Sequence, residues 1–361
     1  MRNTIPPTMA AVQLTGYGGL DRLVYRTDVV VPTPGPDEVL IRISAAGINN
    51  TDINTRTGWY ARTTRGSSGD VARHGGGIDG AAGWSGDLHF PRIQGADACG
   101  RIVAVGTGVS SGRLGERVLV ATMQRAYSDG EPFTTTVFGS ECDGGFAQFA
   151  VAHTDETYAV DCDWTDVELA SIPCAYSTAE NMLDRIGLGA ERVLITGASG
   201  GVGSAAVQLA KRRGAHVTAV VGDSKAEAVR DAGADATVNR DADLVEVFGE
   251  NGFDVIVDVV AGPVWTHVTR LLRTGGRYIT AGAIAGPVVE LDMRDLYLKD
   301  LTLKGSTYQG PEIFANLIGY IERDEIRPLI AATYPLEEIA AAQTAFLAKE
   351  FVGKIVLEIP Q

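Results

Sequence analysis

Three glycines recur at a fixed spacing between an apolar segment and a helical pattern. Gly197, Gly200 and Gly203 follow the run Val193-Leu194-Ile195, with two residues between successive glycines. In such a turn the backbone N–H groups can approach a pyrophosphate with no Cβ in the way, and the helix N-terminus adds partial positive charge. Its place between strand and helix favours dinucleotide binding over a structural turn. The residues expected to hold the dinucleotide here are Gly197, Ser199, Gly200, Gly201, Val202 and Gly203.

The end of the next apolar segment bears on which dinucleotide is bound. A carboxylate there would bond the ribose 2′-OH of NAD, whereas a cation would accept the 2′-phosphate of NADP. The segment ends at apolar Val221, and Ser224 and Lys225 follow, with Arg240 at the end of the next segment. Asp223 lies about where an NAD-binding acid could sit, and Lys225 could be a solvated residue at a helix start. We favour NADPH, with NADH possible.

The cysteines and histidines give little sign of a metal site. Successive cysteines are 43, 20 and 12 positions apart, which fits neither a zinc knuckle nor a small disulfide framework. We therefore expect four free thiols: Cys99, Cys142, Cys162 and Cys174. His74 and His89, near Asp79 and Asp87, could hold a metal in principle, but loop histidines without paired spacing are more often exposed.

The elements that position these residues fall into two groups. Short apolar segments broken by Gly and Pro predict strands at 9–14, 38–45, 100–105 and 117–121, which is typical of a barrel or sandwich. Residues 61–89 interrupt them with Gly, Ser, Thr and Arg, including Gly75, Gly76 and Gly77. This insertion is either a functional lid or disordered, and we favour a mobile loop over an ordered subdomain. It is our candidate for substrate selectivity.

Beyond residue 167 strands alternate with helical patterns, which predicts a parallel sheet. The expected strands are 192–196, 216–221, 236–238, 255–258, 276–280 and 301–305, and the expected helices are 202–213 and 224–232. A helix at 335–349 and a strand at 354–359 end the chain. That last strand suits the opening β domain better than a finished parallel sheet.

Composition narrows the class of partner. The 361 residues include 31 Lys and Arg against 45 Asp and Glu, so the net charge is −14 and a nucleic acid would be repelled. No apolar run reaches the ~18 residues needed to span a bilayer. We expect a cytoplasmic protein that acts on a small molecule, with neither a nucleic acid nor a membrane as partner.

Six motifs in order make the chain resemble the medium-chain dehydrogenase/reductase superfamily. They begin at Gly47, Gly95, Gly115, Gly144, the glycine turn and Gly353, and read GINNTD, GADACGRIVAVG, GERV, GGFAQF, TGASGGVGS and GKIVL. The resemblance implies an α/β protein with a GroES-like β domain and a Rossmann doubly wound parallel sheet. It places the GroES-like domain at 1–160, with the insertion at 61–89, and the Rossmann domain at 161–308. Residues 309–361 return to the GroES-like domain.

Zinc divides this superfamily. Zinc alcohol dehydrogenases carry Cys-His where this chain has Asn49-Asn50, and His-Glu where it has Ala96-Asp97, while Cys174 matches a third ligand. One thiolate, even with Asp97, leaves too few groups for the three protein ligands of catalytic zinc. We therefore expect no metal and a resemblance to the quinone oxidoreductase and enoyl reductase branch. Hydride addition to a conjugated acceptor suits a site without a Lewis acid.

The resemblance also implies site residues. Asn49 could donate its amide to the substrate oxygen, Tyr60 could donate a hydrogen bond or a proton, and Asp52 could orient either one. The alternatives are a turn-forming Asn, a packed aromatic ring and a helix cap. Residues expected near the cofactor are Thr178 at the nicotinamide, Ala261, Gly282 and Ala283 along its ribose and amide, and Lys354 near the phosphates.

These observations favour an NADPH-dependent, zinc-independent reductase of quinones or α,β-unsaturated carbonyls. A zinc-type alcohol dehydrogenase with degenerate ligands and a non-catalytic NADPH-binding protein are the alternatives. We also expect a homodimer joined along the strand at 301–306, which alternates apolar residues and carries few charges.

Overall fold

A mostly antiparallel β unit takes its strands from both ends of the chain, and a parallel sheet lies between them in sequence. The computed structural model describes residues 5–74, 83–84, 86–125, 133 and 135–361. Within these residues no helix is long and apolar enough to cross a membrane.

The first ten strands build the β unit. They are β1 Thr8–Leu14, β2 Leu23–Val30, β3 Glu38–Gly47, β4 Arg92–Ile93, β5 Cys99–Val105, β6 Arg117–Val120, β7 Met123–Gln124, β8 Thr136–Val137, β9 Phe149–His153 and β10 Thr157–Ala159. One sheet has the order β2-β1-β4 and β7 pairs with β8, while the larger sheet contains β10, β6, β5, β3 and β9.

The parallel sheet follows. Its strands are β11 Arg192–Ile195, β12 His216–Val221, β13 Ala236–Asn239, β14 Phe253–Asp258, β15 Leu272–Thr280 and β16 Thr302–Gly305, in the order β13-β12-β11-β14-β15-β16. Strands β12 and β13 are added on one side of β11, and β14 to β16 on the other side. The order of strands therefore reverses between β11 and β14, although all six strands are parallel. Ligands of open α/β sheets bind at the carboxyl ends of the strands beside such a reversal.

The chain then returns to the β unit through β17 Ile330–Pro335 and β18 Lys354–Glu358. Strand β18 lies between β17 and β3 and pairs Val356 with Gly47. This pairing brings the start of β18 close to the end of β3, so residues from the two ends of the chain meet at one place.

Eleven α-helices accompany the sheets in the described part of the chain. They are α1 Asn50–Thr57, α2 Ser68–His74, α3 Asp166–Leu169, α4 Pro173–Ile186, α5 Gly201–Arg212, α6 Ala226–Asp231, α7 Leu244–Phe248, α8 Trp265–Leu271, α9 Met293–Leu298, α10 Pro311–Glu322 and α11 Ile339–Ala348. Pro173 begins α4, where its missing N–H needs no partner, and Gly187 ends it at φ 65°.

Buried apolar residues form cores within the parallel sheet, within the β unit and between the two. Buried residues of α4, α5 and α10 pack with one face of the parallel sheet, and α8 covers the other. The β unit has its own core around β1, β3 and β18. The core around α4 also includes Ala45, Cys99, Leu119 and Val356 of the β unit. Burial of apolar surface therefore also holds the two units together.

The expected α/β class, with a β unit and a Rossmann-type parallel sheet, is confirmed. The predicted parallel strands all occur, with ends that differ by up to four residues. The helix expected at 335–349 begins only at Ile339, because residues 330–335 form the edge strand β17, which was not predicted. The domain boundaries stay predictions.

Within the insertion at 61–89, where a mobile loop was expected, Ser68–His74 form α2. Ser68 and Val71 are buried, and the Ser68 N–H donates to the Ile284 carbonyl at 3.0 Å, so this helix is anchored on the other unit. Residues 75–82 and 85, which include Gly75, Gly76, Gly77 and Asp79, lie outside the described residues. His74 and His89 are exposed, and all four cysteines are free thiols, as expected.

Candidate active site

The glycine turn joins β11 to α5, as the sequence predicts. Gly197 has a φ of 59°, which favours glycine, and a Cβ on Gly203 would lie 2.1 Å from the Gly197 carbonyl oxygen. Glycine at 203 is therefore needed for α5 to approach the turn. Ser199, Gly200, Gly201 and Val202 remain partly exposed at the N-terminus of this twelve-residue helix. The arrangement can accept a pyrophosphate.

A buried carboxylate that the sequence analysis missed holds the neighbouring strand ends together. Asp258, at the end of β14, accepts hydrogen bonds from the hydroxyls of Thr196 at 2.5 Å and Tyr278 at 2.8 Å. It also accepts one from the Ala261 N–H at 3.1 Å. Asp258 therefore shapes the chain between β14 and α8, where Ala261 has an unusual φ of 53°. Its position at the end of an apolar strand was the available signal.

The residues expected beside the nicotinamide lie around the same strand ends. Gly282 and Ala283 follow β15, and Thr178 lies on α4. A narrow cleft lies next to them. Its lining consists of Trp84, Met123, Thr178, Asn181, Ala281, Ser306, Thr307 and Gln309. Thr178 therefore lines this cleft, and Trp84 of the insertion lines it as well.

Cations gather beyond the end of β12. Lys225 lies in a short turn before α6 and donates its ammonium to the Lys349 carbonyl. Burial and the nearby Arg240 charge lower the pKa of Lys225. This mutual repulsion indicates that the two cations share one region, where an anion would be stabilised. Ser224 and Asp223 are exposed beside them.

Helix α1 fixes the first two catalytic candidates. Asp52 accepts a hydrogen bond from the Asn49 N–H at 2.7 Å and one from the Ala96 N–H at 3.3 Å. The first bond is part of a capping box, so Asp52 acts as a helix cap that also fixes the backbone of Asn49. Burial raises the pKa of Asp52 to about 7, against the hydrogen bond from Asn49, which lowers it.

Tyr60 forms a hydroxyl pair with a residue that the sequence analysis did not select. Its phenol donates to Thr51 Oγ1 at 3.1 Å. Burial strongly raises the pKa of Tyr60, so the phenol keeps its proton. The Tyr60 ring packs against the ring of Trp84, with 5.7 Å between their centroids. The signal for Thr51 was its place in the same motif as Asn49 and Asp52.

The Lys354 ammonium faces the catalytic candidates, and its expected place near the phosphates stays a prediction. Its ammonium donates to the Asn49 Oδ1 at 2.5 Å, to the Asp97 Oδ2 at 2.9 Å and to the Ile48 carbonyl at 3.0 Å. The cause is the register of β18, which directs the side chain into the β unit. Only the lysine stem meets the turn, because a Cβ on Gly201 would lie 2.8 Å from Lys354 Cδ.

The same cluster engages the Asn49 amide. Asn49 Nδ2 donates to the Asp97 Oδ2 at 2.8 Å, and the second Asp97 oxygen accepts from the Cys174 N–H at 2.6 Å. The amide hydrogens that the sequence analysis assigned to a substrate oxygen thus face Asp97 and the Gly47 carbonyl. This geometry favours Asn49 as part of the framework of the site over a direct donor.

The positions that match zinc ligands form a poor donor set. Asn49 supplies an amide and Asp97 is bound by an ammonium, while burial strongly raises the pKa of the Cys174 thiol. Among the residues that the structure describes, no three His, Cys, Asp or Glu side chains are grouped as metal ligands. Three deprotonated ligands are normally required for zinc.

Known proteins resemble this chain over nearly its whole length. Residues 35–161 match the family "Alcohol dehydrogenase GroES-like domain", and residues 201–323 match "Zinc-binding dehydrogenase". The quinone oxidoreductase of Lama guanicoe is 31% identical, over 97% of each chain. The chloroplastic NADPH-dependent alkenal/one oxidoreductase of Arabidopsis thaliana is 24% identical, over 98% of this chain and 80% of the relative.

A solved structure also matches the chain over nearly its whole length. A protein of Sinorhizobium meliloti 1021, described as a candidate alcohol dehydrogenase, is 45% identical and covers 99% of this chain and 98% of its own. The two structures superpose with a TM-score of 0.88. The two sheets and their connection therefore recur as one unit in a known fold.

Proposed function

We propose, because this chain belongs to the quinone oxidoreductase-like branch of the medium-chain dehydrogenase/reductase superfamily, that it reduces quinones or α,β-unsaturated carbonyls with NADPH and without zinc. The observation that carries the proposal is the Tyr60–Thr51 hydroxyl pair. It lies against Trp84, which lines the cleft that Thr178 enters from α4. Hydrogen-bond donors are thus available beside the expected nicotinamide position.

The chemistry follows from these donors. Bound NADPH would supply a hydride, and addition to the β-carbon of a conjugated acceptor moves negative charge onto the acceptor oxygen. Tyr60 can donate to that oxygen, because its raised pKa keeps the phenol protonated. Thr51 fixes the phenol by accepting its hydrogen bond in the free protein. Asn49 and Asp52 hold the start of α1 and thereby position Thr51.

The donor set supports chemistry without a metal. A simple ketone needs strong polarisation, which zinc provides in the zinc alcohol dehydrogenases, whereas a conjugated acceptor spreads the developing charge. Asn49, Asp97 and Cys174 offer at most one thiolate and one already paired carboxylate. A zinc-type alcohol dehydrogenase is therefore the weaker reading.

Lys225 and Arg240 support NADPH as the cofactor. Both follow the ends of adjacent strands, and their mutual repulsion would be relieved by a 2′-phosphate between them. Ser224 offers a hydroxyl at the same place. Asp223 is exposed and could bond the ribose of NADH instead, so NADH is the second candidate cofactor.

A homodimer is supported by an exposed apolar surface beside the edge strand β16. Met293, Tyr297 and Leu298 on α9 are 59%, 61% and 68% exposed, and Val288 is 56% exposed. Such a surface next to an unpaired strand edge suits a second copy of the chain. Light scattering of the wild type and of Leu298→Glu tests it, since a monomeric wild type would contradict it. The cytoplasmic location stays a prediction.

The function is tested by NADPH consumption in EDTA. The acceptors are a para-quinone, an α,β-unsaturated ketone and a simple aldehyde, and NADH is run in parallel. We expect turnover of the conjugated acceptors alone, unchanged by the chelator. Turnover of the aldehyde alone, or turnover only after zinc is added, would instead favour an alcohol dehydrogenase. Tight NADPH binding with no acceptor reduced would favour a non-catalytic protein.

A further inference from the structure

We propose that Lys354 is a positioning residue whose ammonium is a built-in cation at the site where zinc dehydrogenases hold their metal. The inference rests on the proposed function, since it explains how this site is organised without zinc. The ammonium lies between Asn49 and Asp97, two of the positions that match metal-ligand motifs.

The ammonium is fully engaged and shielded from water. Its three acceptors are the Ile48 carbonyl, Asn49 Oδ1 and Asp97 Oδ2, and an ammonium has three protons to donate. The Lys354 side chain is 3% exposed and that of Asp97 is 0% exposed. Lysine and aspartate are rarely buried to this degree unless they are paired. The pair is therefore a fixed part of the site.

This cation fixes the orientation of Asn49. The amide oxygen faces the ammonium at 2.5 Å, and the amide nitrogen faces the Asp97 carboxylate at 2.8 Å. A flipped amide would place its N–H₂ against the ammonium and its oxygen against the carboxylate, so both contacts would become repulsive. Asn49 in turn is the N-cap of α1, the helix that carries Thr51, the partner of Tyr60.

Lys354 also touches the dinucleotide turn. Its Cδ packs so closely on Gly201 that a Cβ added to that glycine would lie only 2.8 Å from it. The N–H of the neighbouring Gly353 donates to the Ser199 carbonyl at 2.9 Å. One residue therefore contacts the phosphate turn through its stem and the catalytic side through its ammonium. Removing the ammonium alone should disturb the reacting groups more than the binding of NADPH.

The kinetic test replaces the ammonium and keeps the stem. We expect Lys354→Met to lower kcat by on the order of 10²-fold, because a displaced reacting group can cost that much. The dissociation constant of NADPH, followed by protein fluorescence, should stay within about threefold of the wild type. Lys211→Met is the control, since it breaks an exposed ion pair with Asp235 at 2.5 Å and should change neither quantity.

A double variant separates positioning from charge balance. Lys354→Met leaves Asp97 without its cation, whereas Lys354→Met/Asp97→Asn removes both charges and should regain the unfolding midpoint but not kcat. It also carries the test if the single variant fails to fold. A raised NADPH dissociation constant with unchanged kcat would make Lys354 a phosphate ligand, and full recovery of kcat in the double variant would make it a charge neutraliser. Either result overturns the proposal.

A cobalt titration tests the role of the Lys354 ammonium without measuring turnover. Asn49→Cys/Ala96→His restores the two missing ligand types beside Cys174. We expect a cobalt–thiolate charge-transfer band only when Lys354→Ala is added, because the ammonium otherwise repels the metal. An equally strong band with Lys354 retained would contradict the proposal. If the wild type reduces no acceptor, the proposed function fails but this titration still decides the role of Lys354.

Discussion

The Tyr60 hydroxyl donates a hydrogen bond to Thr51 Oγ1 at 3.1 Å, which joins the segment after α1 to the first turn of that helix. Because Asn49 and Asp52 cap this same helix, the phenol is connected through one short helix to the buried Lys354–Asp97 pair. The donors of the proposed reaction and the ions that fix them thus form one continuous structure.

Replacing Tyr60 with Phe should lower kcat by on the order of 10²-fold for conjugated acceptors, since a positioned proton donor contributes about that much. Burial raises the pKa of Tyr60, so the wild type should show no loss of rate from phenol ionisation in the neutral to mildly alkaline range. Steady-state kinetics over this range measure both effects. Tyr334→Phe, a half-buried tyrosine on β17, is the control. An unchanged kcat in Tyr60→Phe would remove the phenol from the mechanism.

Replacing Lys225 or Arg240 with Ala should raise the KM for NADPH about tenfold and leave the KM for NADH unchanged. The reason is that hydrogen bonds to a charged group contribute roughly 1.5–3 kcal/mol, and only NADPH carries the 2′-phosphate. Arg230→Ala, an exposed cation on the nearby α6, should change neither constant. An equal rise in KM for both cofactors would mean that these cations do not bind the 2′-phosphate.

Much of this architecture could be predicted from local sequence. The glycine turn specifies its own geometry, because Gly197 and Gly203 meet at a distance that no side chain allows. The hydrogen bonds of the Lys354 ammonium could not be predicted, since Asn49 and Asp97 are 305 and 257 positions away and depend on the pairing of β18 with β3. Thr51 and Asp258 were missed although Thr51 shares a motif with Asn49 and Asp258 ends an apolar strand, because their hydrogen bonds with Tyr60 and Thr196 form only in the folded chain.

Replacing Trp84 with Ala should raise the KM for a bicyclic quinone about tenfold and leave that for a small acyclic enone nearly unchanged. Trp84 lines the cleft and stacks at 5.7 Å on Tyr60, and an aromatic pair contributes roughly 0.5–1.5 kcal/mol beyond its buried area. Trp84→Phe keeps a ring there and should retain most of the preference. Parallel losses for both acceptors would show that Trp84 does not select substrates.

Asp52 should make the wild type less stable as pH rises from about 4 to about 7. Its pKa is raised on folding from 3.8 to about 7, so in this range the folded state holds a proton that the unfolded state has lost. The free energy of unfolding should therefore fall by up to about 1.4 kcal/mol per pH unit relative to Asp52→Asn. Urea unfolding at several pH values measures this difference. A wild-type curve parallel to that of Asp52→Asn would contradict the account.

The central claim is that hydride reaches a conjugated carbon with no metal ion. NADPH carrying deuterium at the transferred position, incubated with an α,β-unsaturated ketone in excess EDTA, tests it when the product is examined by NMR. The account predicts a saturated ketone with deuterium at its β-carbon, at a rate that the chelator does not change. An allylic alcohol with deuterium on its carbinol carbon, formed only when zinc is supplied, would contradict it.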